Sequence, residues 1–187
     1  MVRIVGILLA AGAGTRFGGA KLLAPLNGIG IGRRSCANLI AATIEVIAVV
    51  RPGDDVLAAE LVAAGARVSV CADASQGMGV SLAHGIGEAG DADAVVVALA
   101  DMPWIAADTY RSVVAQLRDG NSIVVPRYDG RRGHPVGFGH GYFAALARLT
   151  GDAGARAVIG EATDITWLEV DDPGIIRDVD TRSDLPG

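Results

Sequence analysis

Consecutive apolar and largely β-branched residues recur along the chain at 4–9, 44–50, 67–71, 94–99 and 122–125. Strands buried on both faces read this way, without the alternation of a half-solvated strand. Between these runs the apolar positions change period. Val56, Leu57, Leu61 and Val62 lie within 54–64, Val80, Leu82 and Ile86 within 79–88, and Tyr110, Val113, Val114 and Leu117 within 108–117. A spacing of three and four residues gathers each set on one helical face. Strand and helix in alternation predict a doubly wound, mostly parallel sheet with right-handed crossovers and helices on both faces. In such sheets ligands bind outside the carboxyl ends of the strands.

The rhythm changes after residue 125. Asp129-Gly130 predicts a hairpin turn between two short extended pieces, then Phe143, Leu146 and Leu149 a helix, and 153–159 a second short one. We expect this stretch to be an excursion over the sheet's edge that covers the site. The chain then returns through 165–170, and Thr181 with Asp184 is spaced to cap a terminal turn. No repeat or linker interrupts the 187 residues, so one domain is expected over 1–187.

Composition narrows the partners. The chain is 51% hydrophobic but only 4% aromatic, so its core is to be built from Val, Ile, Leu and Ala. A net charge of −5 argues against a broad nucleic-acid or anionic-membrane surface and for a small-molecule partner. Cys36 and Cys71 are too few for a disulfide framework or a Cys-rich metal site, which predicts core thiols in a reducing, cytoplasmic compartment. Arg3 followed by an apolar run resembles a signal peptide, but the glycine-rich segment after it favours a first core strand. The apolar run 37–50 is broken by Glu45 and is too short to span a bilayer.

That glycine-rich segment, LLAAGAGTRFGGAK at 8–21, sets Gly12, Gly14, Gly18 and Gly19 beside Arg16 and Lys21 immediately after a strand. Glycines let backbone N–H groups close on an anion, and the two cations suit a polyphosphate. No Gly-Lys-Ser/Thr follows at the P-loop distance, and no third glycine falls at the dinucleotide spacing. Asp101, just past the strand at 94–99, is placed for Mg2+ or for capping the next helix, although Asp108 offers a better cap. Asp178 and Asp180 share one side of an extended segment, either as further Mg2+ contacts or as solvated surface acids. Gly77 and Ser81 open a helix whose N-terminus suits an anion, or they are a plain helix start. His134, in Gly133-His134-Pro135, either donates to a substrate phosphate or holds the hairpin.

Taken together, L-A-A-G-x-G-x-R-x-G-x-x-K from Leu9 to Lys21, Asp101-Met102-Pro103, Gly77-Met78-x-x-Ser81-Leu82 and Asp178-Val179-Asp180-Thr181 resemble the molybdopterin nucleotidyltransferases. The resemblance implies a Rossmann-like nucleotidyltransferase fold. It also implies a nucleotide held by Leu9, Ala10, Ala11, Gly12, Gly14, Lys21, Gly77 and Ser81. Lys21, Arg16 and Asp101 would be the catalytic set, and Mg2+ would bind Asp101 and Asp180, with Asp178 a weaker candidate. Gly133-His134-Pro135 and the stretch from Gly151 to Arg156 match relatives that transfer CMP, which implies a substrate role for His134. Ala11, where guanylyl-transferring relatives tend to have glycine, points to CTP. The acceptor implied is molybdopterin, with its product passed to a molybdenum hydroxylase by transient contact. A sugar-phosphate nucleotidyltransferase, and a nucleotide-binding or oxidoreductase relative that has lost transfer, are the alternatives. The sequence departs from the pattern at 28–42, shorter and richer in glycine than the usual helix, and at Arg182, where proline is usual.

Overall fold

The computed structural model describes residues 2–185. Its strands are β1 (Ile4–Leu9), β2 (Pro25–Leu26), β3 (Ile29–Gly30), β4 (Glu45–Val50), β5 (Arg67–Val70), β6 (Ala94–Leu99), β7 (Ile123–Tyr128), β8 (Arg131–Arg132), β9 (Val136–Gly139) and β10 (Ile165–Glu169). The helices are α1 (Ile31–Ile40), α2 (Asp55–Ala63), α3 (Met78–Glu88), α4 (Ala107–Arg118), α5 (Phe143–Leu146) and α6 (Arg156–Glu161). The main sheet runs β10-β7-β9-β6-β1-β4-β5, with β8 paired to β7 and β2-β3 a separate small hairpin.

Each of the five apolar runs becomes a strand of that sheet, and β1 pairs in parallel with both β4 and β6. The residues of β1 alternate between two cores. Ile4 and Leu8 pack with Ile31 and Leu39 of α1, Leu61 of α2 and Tyr110 and Val113 of α4. On the other face Val5, Ile7 and Leu9 pack with Leu82 and Ile86 of α3, Leu146 of α5 and Ile159 of α6. Cys36 and Cys71 are buried, unbonded thiols, one in each core.

Two local expectations change. The segment after β7 does not lie over an edge: β9 enters the middle of the sheet, antiparallel to both β6 and β7. The Asp129-Gly130 turn does form, with positive φ at both residues, but it closes only the short β7-β8 pair. The glycine-rich stretch at 28–42 is an ordered helix from Ile31, because Ser35 and Asn38 find partners across the fold. Ser35 Oγ donates to the Ala100 carbonyl at 2.9 Å and Asn38 Nδ2 to the Ile105 carbonyl at 2.9 Å. Asp108 is not the cap of α4 but sits in its first turn. The buried Asp172 carboxylate serves that helix end instead, accepting from the Ala106 N–H at 2.9 Å and the Thr109 hydroxyl at 2.6 Å.

Candidate active site

The chain leaves β1 between two neighbours, with the Ala10 N–H donating to the Val49 carbonyl and the Leu9 carbonyl accepting from the Ala100 N–H. The glycine segment therefore spills over the carboxyl ends of β4, β1 and β6. Positive φ at Gly14 and Gly18 lets it double back, and the buried Phe17 pins it to the core beneath. Over this edge lies a cleft of about 560 Å³, whose walls include Leu9, Ala11, Gly12, Lys21, Gly77, Ser81 and Asp101.

Two ion pairs tie the segment down. Lys21 Nζ lies 2.7 Å from Asp101 Oδ2, with only 12% and 24% of the two side chains exposed. Arg16 meets Asp180 at 2.8 Å in the open, where the side chains are 78% and 46% exposed. The cations assigned to phosphate and the carboxylates assigned to Mg2+ are thus paired with each other. The backbone links them too, since the Val179 N–H donates to the Asp101 carbonyl at 2.9 Å and brings 178–180 beside the β6 end. Asp184 secures the segment by accepting from the Asp180 and Thr181 N–H groups, and those bonds hold its carboxyl below its usual range. The predicted Thr181–Asp184 capping box is present.

Of the remaining candidates, Leu9, Ala11, Gly12, Gly77 and Ser81 line the cleft and His134 and Asp178 a second cavity, whereas Ala10 and Gly14 line neither. Gly77 and Gly79, at the start of α3, face the Thr150–Asp152 backbone so closely that a Cβ on Gly77 would fall 2.3 Å from the Gly151 carbonyl carbon. The Gly79 N–H already donates to the Gly151 carbonyl at 2.7 Å. Asp152 and Met78 then form a wall, with Leu99, between the cleft and this second cavity of about 440 Å³. His134 lies in that second cavity, as does the exposed Asp178, together with Arg131, Arg132 and Arg156. Burial pushes the His134 imidazole down to about 4, its Nδ1 has no hydrogen-bond partner, and its N–H backbone group donates to Ile175.

Sequence reasoning passed over Arg51, which lines the cleft one residue past β4. A polar residue at a strand's carboxyl end was the signal available, the same one that singled out Asp101. Among the described residues no three His, Cys, Asp or Glu side chains converge as a ready-made metal cluster. No helix among them is long and apolar enough to cross a membrane.

Residues 6–165 match the MobA-like NTP transferase domain. The purine catabolism protein PucB of Bacillus subtilis (strain 168) is 31% identical, the match covering 95% of this chain and 92% of that protein. The nicotine blue oxidoreductase of Paenarthrobacter nicotinovorans is 32% identical with the same coverages. Among solved structures, Rv0371c from Mycobacterium tuberculosis H37Rv superposes with a TM-score of 0.87 at 28% identity, covering 98% of this chain and 95% of its own. A second structure of Rv0371c, at TM-score 0.81 and 27% identity, covers 98% of this chain and 96% of its own and is a complex with manganese. With a family match across most of its length and a parallel sheet that opens its glycine segment onto the cleft, the chain belongs to the MobA-like NTP transferase domain family and is a nucleotidyltransferase.

Proposed function

We propose that this nucleotidyltransferase transfers CMP from CTP to a phosphate of a molybdopterin-type acceptor, with Mg2+ and with release of pyrophosphate. The observation that carries the reading is the pair of cavities sharing one wall: the cleft with the glycine segment, Lys21 and Asp101, and behind it the cavity with His134 and three arginines. A triphosphate suits the first. An anionic acceptor with an apolar body suits the second, whose floor includes Val97, Val125, Phe138 and Ile175.

The donor chemistry fits a hard divalent cation. Asp101 and Asp180 supply carboxylate oxygens on two backbone segments joined by a hydrogen bond, and Mg2+ usually takes one or two carboxylates plus phosphates and waters. The manganese complex of Rv0371c supports this. When bound, the cation offsets charge on the triphosphate and on the departing pyrophosphate. Lys21 and Arg16, released from their carboxylates, close on the phosphate oxygens from the other side. An acceptor phosphate oxygen then attacks the α-phosphorus in line, and the bond to the β-phosphate bridging oxygen breaks. An ionised phosphate needs no general base, so positioning and charge neutralisation supply the catalysis. Ala11 supports CTP over GTP, the free buried thiols suit a cytoplasmic setting, and the product would pass to a molybdenum hydroxylase in transient contact.

Pyrophosphate release with CTP, GTP or ATP, measured against molybdopterin and against sugar phosphates, tests the reading. Release only with CTP and molybdopterin is expected, and release only with sugar phosphates moves the acceptor to that class. The relative named nicotine blue oxidoreductase supports a second reading, a nucleotide-binding oxidoreductase, whose signature is NAD binding with no pyrophosphate from any pair.

A further inference from the structure

The mechanism above leaves one cation of the cleft unused. Arg51 stands at the carboxyl end of β4, two strands from Asp101 at the end of β6, since β1 lies between them. Two strand spacings are roughly 10 Å, a distance that a nucleoside bridges. The shared wall of Met78, Leu99 and Asp152 fixes the end of the cleft where the α-phosphorus must meet an acceptor. The nucleoside must then run the other way, over β1 towards β4 and β5. Arg51, Pro52 and Ala72, just past β4 and β5, form that far end, and Arg51 is its charged side chain.

The guanidinium is braced. Its Nε donates to Asp54 Oδ2 at 3.0 Å, while its two terminal nitrogens have no hydrogen-bond partner among the described residues. A braced fork presents donors alone and prefers two adjacent acceptors in its plane. Cytosine offers N3 and O2, and guanine offers O6 and N7. Adenine sets a donor beside N7, and uracil carries a proton on N3 between its two oxygens.

We infer that Arg51, positioned by Asp54, is the base-reading residue of the cleft, selecting a nucleobase with two adjacent acceptors and rejecting adenine and uracil. This inference rests on the nucleotidyltransferase reading of the cleft.

Calorimetric titration of the full chain with CTP, GTP, ATP and UTP at fixed Mg2+ tests it, using the wild type, Arg51→Ala and Arg51→Lys. Loss of one bidentate base contact should weaken CTP by about 10- to 100-fold in Arg51→Ala and leave ATP and UTP nearly unchanged. Arg51→Lys keeps the charge but not the fork, so it should lose the base preference and retain the affinity common to all four nucleotides. Equal weakening of all four in Arg51→Ala would instead make Arg51 a phosphate contact and overturn the inference while leaving the transferase reading intact. An unchanged CTP affinity overturns it as well. A wild type that binds none of the four removes the transferase reading itself.

Discussion

The cleft and the cavity behind it share a wall but are assembled in opposite ways. Much of the cleft is made of residues that lie just past parallel strands, Gly12 after β1, Arg51 after β4, Ala72 after β5 and Asp101 after β6, and the start of α3 and Asp152 complete it. The second cavity gathers Val97 from β6, Val125 from β7, Phe138 from the antiparallel β9, Arg156 from α6 and Ile175 from the C-terminal segment. A parallel crossover edge thus supplies most of the proposed nucleotide cleft, whereas the second cavity depends on long-range contacts such as that of Gly133 with the Ile175 backbone. Chemistry should therefore fail first when the cleft is altered, and stability first when the second cavity is.

The largest effect is expected at Lys21. Lys21→Ala removes a preorganised cation worth roughly 3–4 kcal/mol in a transition state, so turnover should fall by two to three orders of magnitude. Denaturation should show a smaller loss of stability, and the reverse ranking would contradict the difference between the two regions.

Gly133→Ala comes next and reads out oppositely. A Cβ there would lie 2.1 Å from the Ile175 carbonyl oxygen, a backbone atom that cannot turn away. A loss of about 3 kcal/mol in urea unfolding is expected, at the upper end for single substitutions. An Ala variant as stable as the wild type would mean that this contact is not tight.

His134 makes the second cavity sensitive to acid. Its folded value is pushed down to about 4 from an ordinary 6.5, so below pH 6.5 the unfolded chain takes up the proton that the folded chain refuses. Stability should be unaffected above pH 6.5, fall between 6.5 and about 4 by at most about 3 kcal/mol, and level off below. His134→Gln should remove that slope from the unfolding free energy, and an unchanged slope would assign it to other groups.

The smallest stability effect is expected at Arg16, whose ion pair with Asp180 is exposed. Arg16→Ala should change stability by less than about 1 kcal/mol. Its turnover should fall by less than that of Lys21→Ala, and a larger fall would invert the order of the two cations.

The cleft was legible in the sequence because its determinants are local. The apolar run 94–99 marks a buried strand, and a lone carboxylate after it marks the ligand edge. By the same rule Arg51, directly after the apolar run 44–50, was visible in the sequence. β9 was not legible: four residues with two glycines carry little strand signal, and the pairing of Val97 with Val136 spans a turn, a hairpin and α4. The α4 cap was hidden for a related reason, because its carboxylate comes from Asp172, far along the chain. In α1 the partners of Ser35 and Asn38 lie at 100–105, far along the chain, so the contacts that order the glycine-rich stretch are not visible locally. Pairing of Lys21 with Asp101 and of Arg16 with Asp180 was also beyond the sequence, which shows charges but not which of them meet.

Titrating the protein with CTP, with and without Mg2+, and repeating this on Asp101→Ala is the most direct test of a metal-dependent nucleotidyl transfer at this cleft. CTP binding that requires Mg2+ and is lost in Asp101→Ala is the predicted result. Binding that is indifferent to both Mg2+ and Asp101, or a preference for NAD, would contradict it.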